Sequence, residues 1–542
     1  MITWKLKPGK LLAVAGCAAI ALFEVYSPAL NGPFVLDDLS LPFASPEAER
    51  LPFRQWILNR PALMASYYAN FAMSGAGPFS YHVTNVFLHF LTGLVVFAIL
   101  RKWFTPALAG FGAGLFLFHP LQTEAVAYVA SRSDVLSTLA GYGGLAFYLW
   151  RKRDGRAIGF VDAAVSLASV GCAVLAKEQA VVLPALFLLT DFFTGDRITR
   201  NWRLHLPVAA AGIAGGIWVL SSLRLSGGTA GFSVEGIRWS EYFLTQCRVI
   251  WRYLALAVVP LWQNVDPQVA VSRSMADPIV LAALAGLAAV SGAAWIFRGK
   301  FPMAVLGWFV WLALIAPTSS FVPLADVAAE RRMYFPFLGL VLIALEGARR
   351  WNARPVAMAA ILVVCAGLTW SRAAIWGDPI ALWKDTVEKS PGKSRPHFQL
   401  AYAYYETQQY GLAVAEFERT AGLQRPDVRL LVDWALALDG AGKPDEALRK
   451  LEQAAPLDSG GTAWSQIGMI HGKYGRYDRA LEALARAETA QPGFAMTYVY
   501  RGHVYRARGE FKKAAADYRR ALGLDPGLRM AADGLRAVTT GR

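Results

Sequence analysis

Charge is scarce in this sequence. Only 17% of its 542 residues are Asp, Glu, Lys or Arg, and 55% are hydrophobic. That is too apolar for one soluble domain and too long for one compact core. Cysteine is scarcer still. Cys17, Cys172, Cys247 and Cys365 lie in or beside apolar runs, with neither metal-ligand spacing nor the look of a disulfide framework. A Walker loop, a glycine-rich dinucleotide motif and a His-Glu-x-x-His motif are all missing, which argues against chemistry driven by a bound nucleotide. The formal net charge of +15 does not point to nucleic acid as a partner. The basic residues sit mostly in short loops between apolar runs, as membrane topology requires.

The composition is uneven along the chain. Apolar runs that could span a bilayer are centred near residues 20, 92, 113, 143, 166, 186, 214, 288, 309, 341 and 363. The first has a basic Lys5–Lys7–Lys10 flank like a signal peptide, but no small-residue cleavage site stands out and more runs follow, so it reads as the first span. The expected architecture is all-α: a polytopic bundle of about eleven spans over residues 1–373, a connector or half repeat unit over 374–392, and a helical repeat domain over 393–542. The basic clusters Arg101–Lys102, Arg151–Lys152–Arg153 with Arg156, Arg197–Arg200–Arg203, Arg298–Lys300 and Arg349–Arg350–Arg354 fall in alternate connections. With the N-terminus inside, all are cytoplasmic, and the repeat domain lies outside. The stretch Tyr242–Trp262 is apolar but carries Arg248 and Arg252. A charge at mid-bilayer costs about 2.5–3.5 kcal/mol, so this stretch is expected to be interfacial or re-entrant.

The C-terminal part repeats. Ala401, Ala435, Gly468 and Gly502 share one register, as do Gly442, Gly475 and Gly509 ahead of each second helix, and Ala413, Ala447, Ala480 and Ala514. Pro492 and Pro526 end units, and Trp464 and Tyr498 fill the large first-helix position. This is the 34-residue tetratricopeptide (TPR) pattern. Such arrays offer a groove to a polypeptide, either a substrate or a neighbour in a complex. Tyr402, Tyr404, Tyr405, Tyr498, Tyr500 and Tyr505 suit a groove or simple interhelical packing equally well.

Several polar groups remain in the outer connections of the membrane part. Asp37 and Asp38 are adjacent, so repulsion would raise the pKa of one and fit it to act as a base; a solvated loop pair is the bland alternative. His119 and Glu124 open the second outer connection, and Arg132 and Asp134 close it. Lys177–Glu178 sits between two runs, and Glu330–Arg331–Arg332 shortly precedes Tyr334. Cations gathered on one membrane face suit a lipid-linked phosphate. His82, Asn85 and His89 share a helical face and read as a buried hydrogen-bonded stripe rather than a metal site.

At these positions the chain resembles the transmembrane and tetratricopeptide-repeat O-mannosyltransferase family, of the C-type glycosyltransferase fold. The segments that carry the resemblance are Phe34-Val-Leu-Asp-Asp38, Asn59-Arg-Pro61, Tyr81-His-Val-Thr-Asn-Val-Phe-Leu-His89, Phe118-His-Pro-Leu-Gln-Thr-Glu-Ala125, Ser131-Arg-Ser-Asp134, Ala176-Lys-Glu-Gln179, Asp191-Phe-Phe193, Ser319-Ser-Phe-Val-Pro323 and Ala329-Glu-Arg-Arg-Met-Tyr334. The resemblance implies a dolichyl- or undecaprenyl-phosphate sugar donor and an inverting displacement at the anomeric carbon. It implies that Asp37 or Asp38 deprotonates or orients the acceptor hydroxyl, and that Arg132, Lys177, Arg331 and Arg332 hold the donor phosphate. Glu124, His119, Arg60, Asp134, Glu330 and Tyr334 would line the site, and the metal requirement stays open. Gln122 stands where relatives often carry His, and Arg331-Arg332-Met333-Tyr334 departs from the usual Glu-Arg-Tyr run. An Ala- and Arg-rich composition suits a bacterial inner membrane and an undecaprenyl lipid. The expected function is sugar transfer to a protein Ser/Thr hydroxyl. The alternatives are transfer to a glycan or lipid, and a non-enzymatic membrane scaffold for an envelope complex.

Overall fold

A computed structural model describes residues 8–45, 48–152, 157–225, 230–234 and 236–540. Lys5, Lys7, Arg153 and Arg156 lie outside the described residues. The chain divides into two compact units, Met1–Asp385 and Thr386–Arg542.

The first unit is built from helices α1 (Pro8–Tyr26), α2 (Phe53–Trp56), α3 (Pro61–Ser74), α4 (Pro78–Leu100), α5 (Pro106–Phe118), α6 (Thr123–Ala127), α7 (Arg132–Arg151), α8 (Phe160–Ala176), α9 (Leu183–Phe193), α10 (Trp202–Leu225), α11 (Trp239–Val258), α12 (Pro278–Ile296), α13 (Pro302–Ile315), α14 (Phe337–Arg350) and α15 (Pro355–Gly377). Proline opens eight of them at the first position (α1, α3, α4, α5, α12, α13, α15) or second (α9), where its missing N–H has no helical partner to lose. Each of the eleven apolar runs is a helix. Among the described residues, five stretches are long and apolar enough to cross a membrane: Leu12–Ala29, Pro78–Leu100, Ile198–Ser221, Pro278–Ile296 and Pro355–Gly377. Shorter apolar helices are Pro106–Phe118, Phe160–Ala176 and Pro302–Ile315. The protein is a membrane protein.

Side-chain contacts sort the helix ends into two faces. On one, Lys102 lies 4.9 Å from the Trp150 ring, and Trp150 donates to the Ala98 carbonyl at 3.0 Å. Lys152 meets Asp191 at 2.8 Å. Phe192 stacks on Trp295 at 6.0 Å, Arg350 lies over Phe301 at 4.9 Å, and Arg349 over Phe104 at 6.0 Å. These are the basic connections, drawn together. The other face gathers the remaining connections, Asp37 and Asp38 among them. There α11 lies against them along its whole length. Tyr242 donates to Thr318 O at 2.7 Å, Gln246 to Val327 O at 2.8 Å and Tyr253 to Ala329 O at 3.1 Å, while Ala257 O meets His119 Nε2 at 3.1 Å. A helix tied to one face at both ends does not cross to the other, and Arg248 stays among the loop groups Ala270 O and Ser272 Oγ. The chain leaves α15 on this same face, where a Cβ on Gly377 would stand 2.2 Å from Pro28 O.

The second unit is a row of helix pairs: α17 (Ser394–Glu406) with α18 (Tyr410–Leu423), α19 (Val428–Gly440) with α20 (Pro444–Ala454), α21 (Thr462–Lys473) with α22 (Tyr477–Ala490), and α23 (Ala495–Ala507) with α24 (Phe511–Leu524), closed by α25 (Arg529–Thr539) and preceded by α16 (Pro379–Lys389). The small-residue register has a direct cause. A Cβ on Gly468 would stand 2.4 Å from Leu484, and one on Gly502 2.6 Å from Tyr518. Of the groove tyrosines, Tyr404 and Tyr498 are buried in packing.

Candidate functional site

The loop after α1 turns at Leu36, a non-glycine residue with φ of 51°, a conformation that costs an L residue energy. Phe34 and Phe43 hold the loop down by packing on each other and on Tyr81, at 4.8, 5.5 and 4.5 Å. The turn sends the two neighbouring carboxylates opposite ways. Asp38 is fully buried. Its Oδ1 accepts from Ala130 N at 2.6 Å and its Oδ2 from Val35 N at 3.1 Å. Burial pushes its carboxyl up to about 7, against the pull of these N–H groups and with help from Asp37. Asp37 is exposed. Its backbone N–H donates to the Tyr128 hydroxyl at 2.9 Å, and its carboxylate has no hydrogen-bond or ion-pair partner among the described residues.

Tyr128 stacks on Trp376 at 5.8 Å and carries the Arg331 guanidinium 5.7 Å over its ring. Arg331 is gripped by the buried Glu124, through Nη1 to Oε1 at 2.6 Å and through its backbone N to Oε2 at 3.1 Å, and reaches Asp326 at 3.4 Å. Burial opposes its charge, yet Glu124, Tyr128 and Asp326 together hold it protonated beyond the ordinary arginine range. One-fifth of the side chain remains exposed. A second charged group lies on the same face. Arg60 (φ 46°) forms a two-pronged bridge to Glu178 at 2.8 and 2.9 Å. Lys177 donates to the buried Asp134 at 2.6 Å, and Gln179 to the same carboxylate at 3.1 Å. Burial lowers the Lys177 ammonium and Asp134 supports it; Arg60 and Arg331 both act on it electrostatically.

Other expected site residues turn inward. Arg132 is fully buried and donates to Asn85 Oδ1 at 2.7 Å, Tyr81 O at 3.1 Å and Ser66 O at 3.2 Å, over the Tyr67 ring at 4.5 Å. Arg332 donates to the carbonyls of Val327, at 3.1 Å, and Asp326. With their donors engaged inside the protein, these two arginines brace the loops and do not face a phosphate. Glu330 is likewise internal: Oε1 accepts from Asn264 N at 2.5 Å and Oε2 from Gln263 at 3.0 Å, and burial raises its carboxyl to about 7. His119 bridges Leu121 N at 3.2 Å and Ala257 O, and burial lowers it to about 4. Tyr334 bonds His89 Nδ1 at 2.8 Å, while His82 meets Gly32 O at 3.1 Å. With Asn85 engaged by Arg132, the polar stripe of α4 is a buried network.

The matches to known proteins follow the same outline. A family model for the tetratricopeptide repeat matches residues 466–528. Protein O-mannosyl-transferase TMTC3 of Mus musculus is 20% identical over 533 residues, covering 86% of this chain and 57% of its own length. The chain is similar to these TMTC proteins and carries tetratricopeptide repeats. Protein O-mannosyl-transferase Tmtc1 of Drosophila melanogaster is 30% identical over 200 residues (33% of this chain, 23% of the relative), and TMTC2 of Mus musculus 36% over 150 residues (26% and 17%). The chain thus spans between 17% and 57% of these relatives' lengths. Gln122 is fully buried, and neither amide atom has a partner among the described residues. Sequence reasoning missed Tyr128 and Trp376. Tyr128 lies between two recognised segments, but nothing local shows that its hydroxyl meets Asp37.

Proposed function

We propose that this protein transfers a sugar from a polyprenyl-phosphate lipid to a Ser or Thr hydroxyl of a polypeptide, on the membrane face that carries Asp37. The observation behind the proposal is the exposed Asp37 carboxylate, unpaired among the described residues, with its backbone N–H fixed to Tyr128, whose ring lies under Arg331. The names of the relatives, protein O-mannosyl-transferases, favour mannose and a protein acceptor. In this reading the acceptor hydroxyl gives its proton to Asp37 as its oxygen bonds to the anomeric carbon. The bond from that carbon to the phosphate oxygen breaks, with inversion. Arg331 balances the charge growing on the departing phosphate. Lys177 and Arg60, already poised by Asp134 and Glu178, extend the cationic surface. Asp38 positions the loop. The crowding of basic connections on the opposite face argues that the site is non-cytoplasmic. The TPR array, joined to the chain where α15 ends, would present the acceptor.

The experiment is transfer by the purified full-length protein from polyprenyl-phosphate mannose to a panel of Ser/Thr peptides, read by mass spectrometry. A hexose added at a hydroxyl residue is the expected result. A folded protein that neither transfers nor hydrolyses any donor would leave a TPR scaffold as the better reading.

A further inference from the structure

On the opposite face, the segment that opens α10 has three cations in register, Arg197, Arg200 and Arg203, and none has a carboxylate partner among the described residues. The nearby carboxylates are already engaged: Asp162 by Arg151 at 2.9 Å, Asp191 by Lys152 at 2.8 Å, and Asp196 by Lys152 as well. Arg203 lies over Phe160 at 4.5 Å and Trp202 at 6.0 Å, and its buried Nε has no hydrogen-bond partner. The segment is rigidly set. Asn201 Nδ2 and His205 Nε2 both meet Asp191 Oδ2 at 2.8 Å, leaving Asn201 Oδ1 and His205 Nδ1 buried and unpartnered.

Below these cations runs an apolar strip. Leu206, Ile213 and Ile217 follow at spacings of 7 and 4 residues, which keeps them on one helix face; they are 63%, 67% and 64% exposed. The Phe160 and Trp202 rings, also exposed, sit at the boundary between cations and strip, where aromatic residues meet lipid headgroups.

We infer that the start of α10 binds an anionic phospholipid, its phosphate held by Arg200 and Arg203 and its acyl chain laid along Leu206, Ile213 and Ile217. Stacked on aromatic rings, the Arg203 guanidinium spends Nη1 on Ile158 O at 3.4 Å and keeps Nη2 for a phosphate. The adjoining apolar strip distinguishes a lipid from a free anion, which would have no use for it. The inference does not depend on sugar transfer.

The test is native mass spectrometry of the delipidated full-length protein, titrated with phosphatidylglycerol, phosphatidylcholine or inorganic phosphate. Phosphatidylglycerol adducts are expected to persist where phosphatidylcholine adducts do not. Arg200→Gln and Arg203→Gln should each weaken phosphatidylglycerol binding about fivefold, and Arg298→Gln, in the α12–α13 connection, should leave it unchanged. Arg203→Lys, which keeps the charge and the fold, should weaken it less than Arg203→Gln. Equal retention of the two lipids, full binding by the glutamine variants, or displacement of the lipid by equimolar inorganic phosphate would overturn the inference.

Discussion

The two ends of the helical bundle place their cations differently, though both bury engaged carboxylates such as Asp134 and Asp191. At the Asp37 face, ionic side chains are drawn inward and engaged: Asp38 by two backbone N–H groups, Glu124 by Arg331, Asp134 by Lys177, Glu330 by Asn264 and Gln263. At the basic face, cations lie over exposed rings such as Trp150, Phe160 and Trp202. Burying a charge is costly unless each of its hydrogen-bonding positions is met. A charge that is both wired and fully buried is therefore a structural brace, whereas one that stays partly exposed, like Asp37 or the paired Arg331, can still meet a substrate. By that criterion the Asp37 face holds few candidates for chemistry, and Asp37 leads them.

The contrast can be broken by substitution. Asp37→Asn should lower transfer by about 10²–10⁴-fold, the range for loss of a general base, with thermal stability unchanged. Arg132→Met should do the reverse. It strips Asn85, Ser66 and Tyr81 of their donor and should cost about 3–5 kcal/mol, read as a lower unfolding temperature. Asp38 and Glu330 predict a pH dependence. Both carboxyls are raised to about 7 in the folded chain, so folding favours their protonated forms. Stability should fall as pH climbs from about 4 to about 7, and Asp38→Asn should flatten that slope in pH-dependent melts. In the repeat unit, Gly475 holds φ of 73° with open space where a Cβ would stand. Gly475→Ala should cost about 1–2 kcal/mol through backbone strain alone. Smallest of all, Arg536→Gln breaks an exposed pair with Asp533 and should change stability by about 0.5 kcal/mol or less.

Much of this was legible in the sequence. The apolar runs became helices because hydropathy is a local property, and the repeats were visible because Gly468 and Gly502 leave room for Leu484 and Tyr518 at a fixed period. Arg248 and Arg252 set the Tyr242–Trp262 stretch apart from the other apolar runs, and α11 within it is tied to the Asp37 face near both ends. The division of labour between Asp37 and Asp38 was not legible. It depends on a turn at Leu36 and on Ala130, 92 residues away. Arg132 and Arg332 looked like phosphate ligands because a sequence shows that a cation is present, not whether its donors are engaged. Asn85 and Tyr81, which engage Arg132, lie on α4 and carry no local sign of that role.

The most direct measurement sets Asp37→Asn beside Asp38→Asn, in sugar transfer from a polyprenyl-phosphate donor and in thermal unfolding on the same preparations. The account predicts that Asp37→Asn lowers transfer about 10²–10⁴-fold and melts like the wild type, while Asp38→Asn shifts the melt and its pH dependence. Transfer that survives in a folded Asp37→Asn protein would contradict it.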